Sequence, residues 1–142
     1  MDNKQTISLL KKTPIFAKTS ESSLEAMLKS AVQKTVAAGE PLVEKGQGGA
    51  GFYLLLSGVA TVKAGGETLA EMSSGDFFGE LSVIDGAPRT ADVVASVETT
   101  CLVVSQWAMR SIITSHPEIA LSMLEELVRR LRKTNASISA SR

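Results

Sequence analysis

Residues Phe77 to Ala95 read Phe-Phe-Gly-Glu-Leu-Ser-Val-Ile-Asp-Gly-Ala-Pro-Arg-Thr-Ala-Asp-Val-Val-Ala, and this stretch decides the fold that we predict. Two strand-like segments are joined by a Gly-Glu turn, a short apolar stretch and a Pro-Arg-Thr corner. Gly79 permits close approach to the backbone, because it has no Cβ atom. The residues from Leu81 to Ile84 suffice for one helical turn, whose free N–H groups would point at an anion.

Two charged residues of this stretch predict the kind of ligand. Arg89 offers a planar guanidinium fork that matches phosphate oxygens. Glu80 only accepts hydrogen bonds when ionised, so it suits a sugar hydroxyl rather than a phosphate. The pattern therefore predicts a site for a small phosphorylated ligand that carries a ribose.

This stretch resembles the phosphate-binding cassette of cyclic nucleotide-binding domains, which occur in catabolite activator proteins, in regulatory subunits of cyclic AMP-dependent kinase and in cyclic nucleotide-gated channels. The cassette pattern stands here as Phe78-Gly79-Glu80-Leu81-Ser82, then Arg89-Thr90-Ala91, then Val93-Val94-Ala95. The resemblance covers nearly the whole chain, through Leu9 to Phe16, Gly39-Glu40, Lys45-Gly46 and Phe52 to Gly58. It departs at Gln47 to Gly51, where Gly and Ala replace the acidic residues often found in the family. This replacement predicts a looser loop that leaves the ligand contacts intact.

The resemblance implies that the ligand is a cyclic nucleotide, with cyclic AMP favoured over cyclic GMP. The phosphate would lie on Arg89 and on N–H groups near Ser82, and the ribose 2′-hydroxyl on Glu80 and Gly79. Thr90 has three open roles: to begin a strand, to donate its hydroxyl to the phosphate, or to contact a purine edge. The implied ligand-binding set is Gly79, Glu80, Leu81, Ser82, Arg89, Thr90 and Ala91.

The rest of the chain predicts one mainly β domain with flanking helices. From Gln33 to Ser105, short apolar or β-branched runs alternate with Gly-rich turns, which is typical of an antiparallel sandwich or barrel. The resemblance narrows this to an antiparallel β-roll, which is a double-stranded β-helix of jelly-roll type. We expect N-terminal helices over 1–32, the roll over 33–105 with its cassette at 78–91, C-terminal helices over 106–134, and a polar tail over 135–142.

Three signals place the helices. A short helix over Ile7 to Leu10 is ended by Pro14, and a capping box of Ser22 with Glu25 begins a second helix. After Ser105 a short helix ends near His116-Pro117, and a longer one runs from Pro117 to about Lys133. The predicted apolar face of the second helix consists of Leu24, Met27, Leu28 and Ala31.

The long last helix allows several readings. Its wide apolar stripe fits the domain core and also a partner helix, so a homodimer through this helix is one expectation. In the family this helix folds over the purine as a lid, which makes Arg129, Arg130 and Arg132 candidates to contact the base. The alternative is a solvated cationic helix end that matches the helix dipole, which we favour for Lys133. The stripe consists of Ala120, Met123, Leu124, Leu127, Val128 and Leu131.

The remaining conspicuous residues have structural interpretations. A chain with so few aromatic residues needs them for packing, so we predict core positions for Tyr53, Phe77, Phe78 and Trp107. Cys101 lies in an apolar run and predicts a buried, inert thiol. His116 is the only histidine, which excludes a His-based metal cluster and favours a cap before Pro117.

Composition narrows the classes of function. Lys plus Arg and Asp plus Glu both total 15, so the net charge of zero gives no bulk electrostatic case for nucleic acid or anionic membrane. The single Cys excludes an internal disulfide and agrees with a reducing compartment. No signal-peptide pattern or membrane-spanning run is present, so we expect a cytoplasmic protein. No catalytic or metal-site motif is present, so we expect neither an enzyme nor a cofactor.

A sensor with no effector domain of its own must pass its signal to another polypeptide. In transcription factors of this family a helix-turn-helix domain follows the long helix, and the 142 residues contain no such domain and no channel segment. We therefore expect a sensor that signals to an unidentified protein effector through movement of its C-terminal helices. Two alternatives stay open: an interaction module that has lost its ligand, and the sensor part of a larger DNA-binding regulator.

Overall fold

The computed structural model describes residues 2–44, 51–79 and 91–140. Two helices precede a series of strands, and two further helices follow it, as the sequence predicts. The described elements are α1 (Asn3–Lys11), α2 (Glu21–Lys29), β1 (Ala31–Val36), β2 (Pro41–Val43), β3 (Gly51–Ser57), β4 (Val59–Ala64), β5 (Glu67–Ser73), β6 (Phe77–Phe78), β7 (Asp92–Ala95), β8 (Thr99–Ser105), α3 (Gln106–Ser115) and α4 (Pro117–Ala140).

The strands form two four-stranded sheets in which every described pairing is antiparallel. Sheet one has the order β1-β8-β3-β6, and sheet two has the order β2-β7-β4-β5. Apart from β4 and β5, which pair with each other in sheet two, successive strands pass from one sheet to the other, so the chain winds around a shared interior. The predicted antiparallel β-roll with flanking helices is confirmed.

Sheet one is buried on both faces along β3, β6 and β8, whereas most of β1 is exposed. On β3, Phe52, Leu54 and Leu56 pack towards the helices, whereas Tyr53 and Leu55 point between the two sheets. Successive side chains of a strand point to opposite faces, so a strand between two cores must be apolar at every position. This explains the unbroken run Phe-Tyr-Leu-Leu-Leu, which shows no alternation in sequence.

Two apolar clusters result. The helix-side core lies between sheet one and the helices, and the roll interior lies between the sheets. The helix-side core contains Ile7, Leu10, Ile15, Phe16, Leu24, Met27, Phe52, Leu54, Leu56, Phe77, Leu102, Val104, Met109, Ile112, Ile119 and Met123. The roll interior contains Val36, Leu42, Val43, Leu55, Ala60, Phe78, Val93, Ala95 and Cys101.

The N-terminal helices begin at residues other than those predicted. Helix α1 starts near Asp2, whose carboxylate accepts a hydrogen bond from the Gln5 backbone N–H at 2.8 Å. The predicted Ser22–Glu25 capping box of α2 is wrong, because the helix is capped two residues earlier by Ser20. Ser20 has an extended backbone and accepts from the Ser23 N–H at 3.2 Å. Of the predicted apolar face of α2, Ala31 lies in β1 instead.

Helix α4 is longer than predicted. It continues to Ala140 instead of ending near Lys133. The residues from Thr134 to Ala140 include no Gly or Pro that would end a helix. Within this last part, the Thr134 hydroxyl donates to the Arg130 carbonyl at 3.0 Å. The helix therefore extends through most of the segment predicted as a polar tail.

A hydrogen-bond cluster ties α2 to the junction of α3 and α4. Ser23 is 2% exposed, and its Oγ atom lies 2.7 Å from His116 Nδ1 and 3.3 Å from Glu118 Oε1. Ser20 Oγ lies 2.8 Å from the same hydroxyl. Because His116 caps α3 and Glu118 lies in the first turn of α4, the cluster fixes both C-terminal helices to the N-terminal pair.

We expect Ser23→Ala to lower the free energy of unfolding by about 1 kcal/mol, because it removes the buried hydroxyl that bonds His116 and Glu118. Chemical denaturation of the purified chain measures this loss. Ser22→Ala is the matched control, because Ser22 is exposed and its Oγ atom has only a 3.3 Å contact with Ser20 Oγ. Equal stability of the two variants would contradict a structural role for the cluster.

Candidate ligand-binding site

The described residues show both ends of the cassette. It leaves sheet one at β6, where Gly79 has a φ of +92°, a conformation that side chains with a Cβ atom rarely adopt. It enters sheet two through Ala91, directly before β7. The cassette therefore connects the edge strand of one sheet to an inner strand of the other, next to Phe78 and Val93 of the roll interior. We call this side of the roll interior its mouth.

Five of the seven predicted ligand-binding residues lie outside the described residues. Gly79 and Ala91 flank the segment 80–90, and both are partly buried. The roles predicted for the five residues of that segment stay predictions; they are Glu80, Leu81, Ser82, Arg89 and Thr90. The altered loop at Gln47 to Gly51 is likewise described only at Gly51.

An apolar wall stands next to these flanks. The Tyr53 and Phe78 rings are stacked, with centroids 4.7 Å apart and planes 14° apart. Val103 is opposite Tyr53 in the neighbouring strand, and Val62 is opposite Val93 on sheet two. Tyr53, Val62 and Val103 are only partly buried and pack against the roll interior. A flat aromatic ligand would find apolar surface here, but this surface has no charge to match a phosphate.

Two of the three predicted lid arginines contact other side chains of this domain. Arg130 places its guanidinium carbon 4.3 Å from the centroid of the Phe77 ring, and its Nε atom lies 3.6 Å from Glu126 Oε1. Arg129 forms an ion pair with Glu126 and has a side chain 61% exposed. Arg132 is exposed. Contact of these residues with a base stays a prediction.

The predicted core positions of the aromatic residues hold with one exception. Phe77 and Phe78 are 3% and 8% exposed, and Tyr53 is half-buried. The prediction for Trp107 is wrong, because this side chain is 87% exposed. Trp107 precedes the buried Met109 by two positions, or about 200° around a helix, and thus lies on the outer face of α3.

The remaining candidates are as the sequence predicts. Cys101 is a free, buried thiol, and His116 caps α3 before Pro117. Sequence reasoning missed the bond between His116 and Ser23, because no local pattern signals a contact between residues so far apart in the chain. Within 2–44, 51–79 and 91–140, no group of three His, Cys, Asp or Glu side chains is arranged to hold a metal ion.

Comparison with known families settles which fold family this is. The sequence profile of the cyclic nucleotide-binding domain matches residues 33–116, which include both sheets, the cassette and α3. The chain belongs to the cyclic nucleotide-binding domain family. This family is defined by a binding domain rather than a catalytic one, and the match ends just before α4.

Individual relatives agree with this assignment. The chain is 31% identical over 136 residues to a CRP-like cAMP-activated global transcriptional regulator of Mycobacterium tuberculosis, covering 92% of this chain and 61% of the relative. It is 29% identical over 125 residues to a cAMP-dependent protein kinase regulatory subunit of Hypocrea atroviridis, covering 88% and 25%. The catabolite activator protein of Thermus thermophilus superposes with a TM-score of 0.81 at 27% identity, covering 89% and 62%.

The cyclic nucleotide-binding domain is thus similar to part of longer proteins. The chain spans about three fifths of the mycobacterial regulator and a quarter of the fungal kinase subunit. Among the described residues, no helix combines the length and the apolar character needed to cross a membrane.

The reactivity of the buried Cys101 thiol reports whether the roll interior is closed to solvent. Burial raises the pKa of Cys101 to about 11, against a smaller opposing effect of Lys34. Because the thiolate is the reactive species, we expect native Cys101 to react with an aromatic disulfide reagent at pH 8 about a hundredfold more slowly than in guanidinium chloride. Absorbance of the released thiol follows both rates, and equal rates would show that the interior is open to solvent.

Proposed function

We propose that this domain is a cytoplasmic sensor that binds a cyclic nucleotide, cyclic AMP in preference to cyclic GMP. The observation that supports it most is the position of the cassette, which carries the family's Phe-Gly-Glu and Arg-Thr-Ala elements between β6 of one sheet and β7 of the other. A ligand held by this segment would lie against the mouth of the roll interior. We propose that no metal ion or other cofactor takes part.

The two kinds of surface at the mouth suit the two ends of a cyclic nucleotide. The half-buried Tyr53, Val62 and Val103 offer apolar contact to a purine. Arg89 would supply the charge for the phosphate, and Glu80 the acceptor for the ribose 2′-hydroxyl. Each charge-assisted hydrogen bond contributes about 1.5–3 kcal/mol, so both the phosphate contact and the ribose contact would add measurably to the affinity.

The preference for cyclic AMP is supported by the relatives. The mycobacterial regulator is named as cAMP-activated and the fungal kinase subunit as part of a cAMP-dependent kinase. Thr90 does not decide between the bases, because its small hydroxyl is compatible with both. Side-by-side titration with the two nucleotides is therefore part of the test.

We expect isothermal titration to show micromolar or tighter binding of cyclic AMP and weaker binding of cyclic GMP. Arg89→Ala should lower the affinity for cyclic AMP at least about tenfold, because it removes charge-assisted hydrogen bonds to the phosphate. Arg110→Ala is the matched control, because Arg110 is an exposed arginine of α3 outside the cassette.

The outcomes of these titrations distinguish a sensor from an interaction module that has lost its ligand. If neither nucleotide produces heat or a thermal shift, the domain is an interaction module in which the cassette is a structural relic. If Arg89→Ala binds as tightly as the natural sequence, the phosphate is held elsewhere. Tighter binding of cyclic GMP would reverse the proposed preference and keep the sensor.

We propose that the bound state is relayed by α3 and α4 to a protein effector. A ligand moves these helices only to the extent that it binds one arrangement more tightly than another. We propose that the junction of α3 and α4 is the pivot of this movement, which the hydrogen bonds of Ser23 with His116 and Glu118 support. A cytoplasmic location agrees with the single cysteine, which is a free and buried thiol.

The partner of α4 that we propose is a second copy of this chain. Leu121, Leu124, Val128 and Leu131 are 47–60% exposed and follow the alternating three- and four-residue spacing of a coiled coil. The same spacing continues in sequence to Asn135 and Ile138. One core position then holds Leu121, Val128 and Asn135, and the other holds Leu124, Leu131 and Ile138. Val and Asn at the first position with mainly Leu at the second favour a parallel two-stranded coiled coil. The seam faces away from Ile119 and Met123, which bury α4 against its own domain.

We expect the domain to be a dimer in solution and Leu131→Glu to make it a monomer, because the change places a charge in the apolar seam. Light scattering coupled to size exclusion measures the mass. Leu69→Glu is the matched control, since Leu69 on β5 is 59% exposed and Leu131 is 60% exposed. A monomeric natural sequence at about 100 μM, well above typical dissociation constants of such dimers, would contradict the proposed partner.

A further inference from the structure

Strand β6 faces the candidate ligand site on one side and the C-terminal helix on the other. Its two residues point to opposite faces of sheet one, as the alternation of strand side chains requires. Phe78 belongs to the roll interior and is stacked on Tyr53. Phe77 belongs to the helix-side core, where its ring is stacked on Phe52 with centroids 5.5 Å apart.

The outer face of the Phe77 ring carries Arg130 of α4. The guanidinium carbon lies 4.3 Å from the ring centroid, within the range of a cation–π interaction. The ring is 3% exposed and the Arg130 side chain 40% exposed, so the contact is partly removed from water. Glu126 lies one turn earlier with a side chain only 14% exposed, and its Oε1 atom is 3.6 Å from Arg130 Nε. The carboxylate thus holds the guanidinium in place over the ring.

The position of β6 makes it easy to displace. It is a two-residue strand at the edge of sheet one, paired with β3 through Tyr53–Phe78 and Leu54–Phe77. Short edge strands with few backbone bonds open and shift at lower cost than inner strands. The cassette begins at the next residue, Gly79. A change in the cassette therefore reaches Phe77 directly through the chain.

We propose that Arg130, acting through Phe77, is the positioning residue that couples nucleotide binding at the cassette to the docking of α4. The contact exists only while α4 lies against β6, so it stabilises the docked arrangement. The docked arrangement is the one that binds nucleotide more tightly. This inference rests on the proposed function, and it gives Arg130 a role other than the base contact implied by the family resemblance.

The proposal satisfies the thermodynamic condition for coupling. A residue that does not touch the ligand changes its affinity only by shifting the populations of two arrangements. Loss of the Arg130–Phe77 contact would favour the undocked helix and so weaken nucleotide binding. By reciprocity, nucleotide would protect α4 from undocking.

A double-mutant cycle tests whether Arg130 acts through Phe77. Arg130→Met keeps an unbranched apolar side chain and removes the charge, and Phe77→Leu removes the ring. Titration with cyclic AMP should show each single variant weakened about three- to tenfold, in line with one partly buried cation–π contact. The double variant should be no weaker than the weaker single variant. Lys133→Met is the matched control, because Lys133 is an exposed cation of the same helix and lies outside the predicted ligand contacts; its affinity should be unchanged.

Hydrogen exchange of the α4 amides gives a second readout that a purely structural role would not move. Cyclic AMP should slow exchange in α4 of the natural sequence and leave the Arg130→Met variant unaffected. This measurement needs only the Arg130→Met variant, so it tests the coupling role of Arg130 even if Phe77→Leu fails to fold.

The outcomes separate the two proposals. No binding of cyclic AMP to the natural sequence overturns the proposed function itself. Binding with an unchanged affinity of Arg130→Met overturns the coupling role alone. Losses that multiply in the double variant show that Arg130 touches the ligand directly, and they overturn its action through Phe77.

Discussion

The inner strands of sheet one are buried on both faces, and the rest of the structure is arranged around them. One face closes the roll interior and the other carries the helices, so β3, β6 and β8 each contribute to both cores. Protein interiors are packed as densely as crystals of small organic molecules, and their compressibility is low. A displacement on the ligand side of the sheet is therefore not absorbed locally, and the neighbouring helices must adjust to it.

The β-roll was predictable because its signals are local. Gly-rich turns between short apolar runs indicate an antiparallel sandwich or barrel, and the resemblance carried by the Phe-Gly-Glu and Arg-Thr-Ala elements narrows this to a β-roll without any knowledge of contacts. The first and last residues of the helices were less predictable from the sequence. Ser20 and Ser22 are equally good caps by residue type, and only the extended backbone of Ser20 selects it. Residues 134–140 read as a polar tail because their small side chains give little helical signal.

Long-range partners explain the remaining differences. The bond between Ser23 and His116 joins residues 93 positions apart, and the Arg130–Phe77 contact joins a helix to an edge strand. Neither leaves a mark in local sequence. The predicted core position of Trp107 was wrong for a related reason. The scarcity of aromatic residues favours a core position, but Met109 and Ile112 define the buried face of α3, and Trp107 lies on the opposite face. For the cassette itself, the residue types at 80–90 carry the prediction.

The pairing of β1 with β8 has a consequence for biosynthesis. β1 is hydrogen-bonded to β8 along its whole length, from Ala31 opposite Val104 to Val36 opposite Thr99, and among the described strands it has no other neighbour in sheet one. The first strand of this domain can therefore pair only after the last has been synthesised, because contacts distant in sequence form late and slowly. Until Ser105 emerges, α1 and α2 lack the sheet against which they pack. The nascent chain therefore closes its roll in one late step, and truncation before β8 would leave an unpaired edge exposed to aggregation.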